Sequence, residues 1–282
     1  MLDLELDGIE LEYRISDQMF GQMRPTLNEN KTPVLSIHNF FPVPDTVAPD
    51  NGNGDVFLLS STNNNERKDA IKYTIKTIQI ADDLGAKAVV LHLGRVPMET
   101  IKHELFEFYD GKKIGSAEYI ESIRKFKEIR AKCKRKCFDA LLMSIEKLLR
   151  EADRYNINLG IENRYYFREF PNFDEIGYIL EKFKGGNLGY WHDVGHAKVN
   201  ENLGLIGSEM FLEAYGNDLV GIHLHDVNGY IDHIAPGCGN VNFETIAKYL
   251  KPETIKIIEV HPKVDKDDLM KGINFLREKG IT

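Results

Sequence analysis

Seven short apolar runs, each separated from the next by a longer stretch, limit what this chain can fold into. They lie at residues 8–12, 34–38, 88–92, 158–162, 188–193, 219–223 and 254–259. Each has the length of a β-strand. Between them lie segments with helical spacing. In 65–84, Ile71, Ile75, Ile78 and Ala81 recur every three or four residues, and Gly85 follows as a stop. In the later part of 117–155, Leu141, Ile145, Leu148 and Ala152 do the same, and 243–250 and 266–278 are shorter versions. Strands alternating with helices predict parallel pairing through right-handed crossovers. An open doubly wound sheet and a closed barrel both satisfy that order. The glycine-rich turn of a dinucleotide fold is missing, because the one early glycine cluster, Gly52 and Gly54, follows a proline-rich loop. Seven strands, or eight if residues 1–6 contribute, suit a single α/β barrel domain spanning 1–282.

Two segments resist this reading. Residues 40–65, with Pro42, Pro44 and Pro49, read as a long loop. Residues 117–155 would extend about 58 Å as one helix, more than a barrel layer needs, so a kink or two helices are expected. The stretch from Arg124 to Lys136 is basic and reads as a solvated helix face, with a phosphate- or partner-binding stripe as the alternative.

Charge and cysteine content narrow the function classes. The chain has 44 acidic and 36 basic side chains, a net charge of −8. That balance argues against non-specific coating of nucleic acid, which needs clustered Lys and Arg. No stretch approaches the ~20 apolar residues that cross a bilayer. The acidic N-terminal dozen residues lack the pattern of a signal peptide. Cys133, Cys137 and Cys238 cannot frame a chain this size with disulfides, so a reduced, cytoplasmic compartment is the expectation.

The runs share a further property. Six of them end in a residue able to hold a metal: His38, His92, Glu162, Asp193, His223 and Glu259. In a barrel the active site forms at the C-terminal ends of the strands. Alternation places Ser36, Gly160 and Gly221 beneath His38, Glu162 and His223, leaving room in the interior, although Ile257 lies beneath Glu259. Three carboxylates brought together away from water need a cation. A mixed imidazole and carboxylate set suits zinc, manganese, cobalt or iron.

The runs Gly160-Ile-Glu-Asn-Arg164, Tyr190-Trp-His-Asp-Val-Gly-His196, Gly221-Ile-His-Leu-His-Asp226 and Ile257-Ile-Glu259 resemble the xylose isomerase-like TIM-barrel superfamily. That group includes sugar-phosphate isomerases and epimerases, inosose dehydratase-like proteins and the endonuclease IV family. The resemblance implies a TIM (β/α)8-type barrel with one shared metal site formed by Glu162, Asp193, His223 and Glu259. His223 is preferred to His225 because His-Leu-His-Asp matches the family's His-Leu-x-Asp with the ligand first. The resemblance also implies that His196 binds substrate or an additional metal, and that His233 stands ahead of the family's glycine loop. His38 and His92 match histidines that hold another zinc in the nuclease branch. Only residues 1–7 precede Gly8, so the first strand–helix unit is short or missing unless residues 1–6 replace it. The nuclease branch carries an aspartate two residues before the counterpart of His233. Here that position is Ile231, and an extended backbone would point Asp232 elsewhere.

Two activities follow. The first is a divalent-metal-dependent isomerase or epimerase of a sugar or sugar phosphate, in which Glu162 and Glu259 remove and return a proton. Arg164 would bind a phosphate or carboxylate, or pair with a rim acid. Trp191 would pack on a sugar ring, or fill the core. Backbone N–H groups of residues 236–239 would cradle a phosphate. The alternative is endonuclease IV-like, zinc-dependent hydrolysis of abasic DNA, which the net charge and Ile231 oppose. A barrel that only binds a ligand is a third reading. The expected partner is a small molecule rather than nucleic acid or membrane, and an oligomer is compatible with the sequence.

Overall fold

The computed structural model describes residues 4–29 and 31–281. The chain runs β1 (Ile9–Leu11), α1 (Asp17–Glu29), β2 (Val34–His38), α2 (Asn64–Asp83), β3 (Ala88–Leu91), α3 (Lys102–Asp110), α4 (Ala117–Tyr155) and β4 (Asn158–Glu162). It continues through α5 (Phe173–Lys182), β5 (Leu188–Asp193), α6 (Val194–Asn202), α7 (Ser208–Tyr215), β6 (Leu219–Leu224), β7 (Asp226–Asn228), β8 (Ile231–Ile234), α8 (Phe243–Ala247), β9 (Ile255–Ile258) and α9 (Lys266–Glu278). All seven apolar runs are strands. Packing divides the chain into two compact units built from interleaved segments. The first takes the described residues up to Arg95, Lys136–Glu162 and Tyr178–Gly189; the second takes the rest.

In the first unit β1, β2, β3 and β4 pair in parallel in chain order, with Ser36 opposite Glu10 and Ala88, His38 opposite Val90, and Val90 opposite Gly160. Alternation along each strand then separates two faces. One carries Glu10, Ser36, His38, Val90, Gly160 and Glu162. The other carries Leu11, Ile37, Val89, Leu91, Leu159 and Ile161, all buried. Helix α2 packs on β2 and β3, starting under an Asn63 cap that accepts from the N–H groups of Asn65 and Glu66. It stops where Gly85 takes the left-handed conformation (φ 70°) that ends helices.

In the second unit β5, β6 and β9 pair in parallel. Trp191, Gly221 and Ile255 form one row; Asp193, His223 and Ile257 form the next. Gly221 is required here, because a Cβ would overlap the Trp191 ring that fills the space above it. A separate core of Ile101, Leu105, Tyr119, Ile123, Val199, Leu203 and Val227 ties α3, the start of α4 and α6 together.

Several elements depart from the sequence reading. α4 is one uninterrupted helix of 39 residues rather than two or a kinked one. Its length is stabilised from both ends: Leu141, Ile145, Leu148 and Ala152 are buried in its second half, and Tyr119 and Ile123 join the second unit's core in its first. Residues 1–3 of the segment considered as an eighth strand lie outside the described residues, and Leu4–Leu6 form no strand. Helices α1, α3, α5, α6 and α7 and the antiparallel ribbon β7–β8 were not foreseen; the ribbon pairs Asp226 with Ile234 and Asn228 with Ile231. Part of the basic stretch of α4 is paired with acidic side chains. Arg124 pairs with Glu121 and Glu128 on the same helix, and Lys134 reaches Glu175. No helix among the described residues is long and apolar enough to cross a membrane.

Arg130, also in that stretch, is buried. Its guanidinium donates to both oxygens of Glu175, at 2.6 and 2.8 Å, and to the carbonyls of Phe167 and Glu169. Burial opposes ionisation of Glu175, but the Arg130 bonds outweigh it and hold the carboxyl below its ordinary value. Removing one member of such a pair strands a buried charge. Glu175→Ala is therefore expected to lower unfolding stability by about 3–5 kcal/mol, measured by urea denaturation at pH 7. Because the folded pKa is depressed, this contribution is full above the ordinary value of 4.5 and is lost as pH falls through the lower folded value. The gap between variant and wild type should narrow in that acid range.

Candidate metal centre

Asp193 ends β5 and caps α6 in one step. Its Oδ1 accepts the His196 N–H at 2.6 Å, an N-cap bond that satisfies a donor the helix leaves open. This explains the three-residue spacing between the two. Asn163 brackets the same backbone, donating to the Asp193 carbonyl and accepting the Asp193 N–H, both at 2.9 Å. Tyr190 OH donates to the same Asn163 oxygen. His223, two residues up from Gly221, places Nδ1 3.6 Å from Asp193 Oδ2 and 3.0 Å from Glu259 Oε2. Ligand atoms of Asp193, His223 and Glu259 all lie within 4.8 Å of one another. Asp193 and His223 have no exposed surface, and the Glu259 side chain is 24% exposed.

The charges are arranged around this group. Burial would raise the Asp193 carboxyl, but His196, His223 and His225 hold it well below the usual range. Burial is likewise overcome at Glu259 by His223 and His233, against the opposing charge of Asp193. His233 sits between Asp232, 3.1 Å from Nδ1, and Glu259, 3.7 Å from Nε2. Burial disfavours its charged form, yet the two carboxylates push its pKa up to about 11. Asp232 does not point away as an extended backbone would have it. His233 takes a left-handed φ of 56°, and the Asp232 carboxylate comes 3.9 Å from His196 Nε2. His196, Asp232 and His233 form a third group of metal-ligand type. His196 Nδ1 lies 3.0 Å from the Asn163 carbonyl. Only a protonated Nδ1 can bond there, which leaves the neutral ring a lone pair on Nε2.

The first unit holds its own cluster. His38, His92 and Glu162 bring ligand atoms within 4.8 Å of one another, with His92 Nε2 3.0 Å from Glu162 Oε2. His38 Nδ1 is 3.0 Å from the Asn39 carbonyl, so the Nε2 lone pair is again the one a ligand would use. The loop over residues 40–63 lays Gly54 against the His92 ring, where a Cβ would overlap Nδ1. It also sets Asp55 3.7 Å from that nitrogen.

The sequence profile of xylose isomerase-like TIM barrels matches residues 2–279. The chain belongs to this family. Its α/β fold is of the TIM type. Among curated relatives, the uncharacterized protein MJ1311 of Methanocaldococcus jannaschii is 26% identical over 195 residues, which cover 68% of this chain and 56% of that protein. Among solved structures, a D-tagatose 3-epimerase-like protein superposes with a TM-score of 0.68 at 21% identity, over 98% of this chain and 88% of its own. The IolI protein, solved with a bound zinc atom, superposes with a TM-score of 0.65 at 12% identity, over 99% and 90%. Further structural neighbours are sugar epimerases.

Other expected contacts lie elsewhere. Trp191 has no exposed surface; its ring packs over Gly221 and against His223 at 5.1 Å. In this arrangement it fills the core. Arg164 is buried and faces Glu169 at 3.4 Å, lining a cavity of about 450 Å³ with Tyr166 and Asn200. The loop at residues 236–239 is no open phosphate cradle. Asp226 accepts the N–H groups of Gly237 and Val241 at 2.9 Å and that of Val227 at 2.8 Å, and the Asn240 N–H goes to the Val227 carbonyl. Gly239 packs so closely on Asp226 that a Cβ would overlap its carboxylate. Asp226, Asn163, Asp232 and His225 were assigned no role from sequence, although each stands within or next to a motif that was. Asp226→Ala is expected to speed amide exchange at Gly237 and Val241 by about tenfold or more, given the about 1.5–3 kcal/mol worth of a hydrogen bond to a charged group. Unchanged exchange by NMR would show that the loop holds itself.

Proposed function

We propose that this chain is a divalent-metal-dependent isomerase or epimerase of a sugar or sugar phosphate. The observation that carries the reading is the meeting of Asp193, His223 and Glu259 at the ends of their strands. Glu162, which ends β4, is proposed as their fourth ligand, as in the family pattern.

The donor set fits a metal. In the second unit Asp193, Glu259 and Asp232 are all held as carboxylates, and His233 is the imidazolium among them. Buried carboxylates are costly unless compensated, and those of Asp193 and Glu259 both lie against His223. Oxygen and imidazole donors together suit zinc, manganese, cobalt or iron. When bound, such an ion supplies Lewis acidity at neighbouring oxygens of a ketose, which acidifies the adjacent C–H.

The chain's own groups then move the proton. Glu162 and Glu259 are the proposed pair, one taking the proton and the other returning it. General acid–base partners of this kind typically contribute about 10²–10⁴-fold. His196 Nε2 is set to accept a substrate hydroxyl, and the His233 imidazolium to donate to a substrate oxygen. Fully buried Trp191 and carboxylate-paired Arg164 play no part in this reading.

A second reading rests on a specific observation: His38, His92 and Glu162, and again His196, Asp232 and His233, form further groups of ligand type. Two or three zinc ions there would suit phosphodiester hydrolysis at abasic DNA.

The wild-type protein should exchange solvent deuterium into at least one member of a panel of ketoses and ketose phosphates, and a chelator should stop it. Glu259→Gln should reduce exchange by about 10²–10⁴-fold. Absence of exchange across the panel, with more than one zinc per chain and cleavage of abasic DNA, would replace the first reading by the second.

A further inference from the structure

Four residues of the second unit, Asp193, His225, His233 and Glu259, bring ligand-type atoms together, yet His225 is engaged at both ring nitrogens. The His233 backbone N–H donates to its Nδ1 at 2.8 Å. That bond requires a lone pair on Nδ1, so the ring proton sits on Nε2. Nε2 faces both oxygens of Asp193, at 3.0 and 3.1 Å. We propose that His225 is a positioning residue: locked as the Nε2–H tautomer by the His233 amide, it donates to Asp193 and fixes that carboxylate as a metal ligand without touching the metal itself. The proposal rests on the reading of Asp193 as a ligand.

Three further features make the arrangement a built one. The His225 ring has no exposed surface. It stacks on the His233 ring at 4.1 Å and 15°. On its other side lies Gly195, the second residue of α6, where a Cβ would overlap the His225 ring. The glycine in Asp193-Val-Gly-His196 therefore makes room for His225. The carboxylate is gripped from two directions, by His225 Nε2 and by the His196 N–H on Oδ1. Both hold its orientation before any ion arrives. The arrangement is the one found where outer partners orient a metal's ligands, and disrupting such partners typically costs about 10–100-fold in metal affinity. His223, two residues earlier on β6, has Nδ1 turned to Asp193 and Glu259 instead. The two histidines of His-Leu-His thus divide the work, one toward the ion and one behind its ligand.

Histidine-labelled ¹⁵N protein tests the tautomer directly. In metal-free protein the His225 signals, identified by their loss in His225→Gln, should show a protonated Nε2 and an unprotonated Nδ1. A protonated Nδ1 overturns the proposal. Affinity for Zn²⁺ is then read by competition with a chromogenic chelator. His225→Phe keeps the ring's bulk and removes both bonds, and should bind about 10–100-fold more weakly. His225→Gln, whose amide N–H can reach Asp193, should stay within a few-fold of wild type. Equal affinity of the Phe variant overturns the proposal, as does a Gln variant as weak as Phe, since that would make the imidazole a direct ligand. If the Phe variant does not fold, as judged by thermal unfolding without metal, the Gln variant and the NMR tautomer decide. If wild type binds no divalent ion, the metal reading falls, while the tautomer still judges the His225–Asp193 bond.

Discussion

A carboxylate with no exposed surface sits at the end of β5, and much of the second unit is arranged to hold it there. Burying an ionised Asp193 is affordable only because every direction around it is answered: the His196 N–H, the His225 ring, and the nearby His223. Asn163 clamps its backbone on both sides. The consequences run outward from that one group. Asp193 must be both the last residue of a strand and the cap of a helix, so His196 falls one turn away on α6. Gly195 must lack a side chain because His225 occupies the space. Gly221 must lack one because Trp191 does. Residues that look like separate motifs in the sequence are parts of one mechanical assembly.

The strands were legible for a simple reason. Period-two alternation marks a half-buried strand wherever one face is apolar, and the ligand-type residues stood at the run ends where a parallel α/β fold gathers its chemistry. His38, His92 and Glu162 could be picked out that way, and so could Asp193, His223 and Glu259. Helices α1, α3, α5, α6 and α7 were not; α1 and α3 have thin apolar faces, each with one buried residue, Phe20 and Leu105. The uninterrupted α4 was misjudged because length was weighed against one layer, whereas its two halves find partners in different cores. Asp232 escaped for a local reason. The backbone beside it is not extended: His233 takes a left-handed φ, a conformation that no pattern of residue types announces for a histidine. Tautomers, and with them the different duties of His223 and His225, depend on single backbone N–H groups and are invisible until those groups are placed.

The glycine loop after β8 shows how an expected binding element can already be occupied. Backbone N–H groups gathered in a turn attract an anion. In this chain the anion is internal: Asp226 collects the N–H groups of Val227, Gly237 and Val241. A substrate phosphate at this loop would have to displace a buried carboxylate that forms part of the fold.

Charge also distinguishes the groups of ligand-type residues. In the second unit the carboxyls of Asp193, Asp232 and Glu259 are all held below their ordinary range and His233 is pushed up, so acidic groups gather there away from water. The His38, His92 and Glu162 cluster is different in kind. It sets two imidazoles beside Glu162, with Asp55 3.7 Å from His92 Nδ1, and neutral imidazole binds a metal well without adding charge of its own. An ion proposed beside Asp193 would answer buried carboxylates, whereas one proposed at the first unit's histidines would rest mainly on imidazole donors.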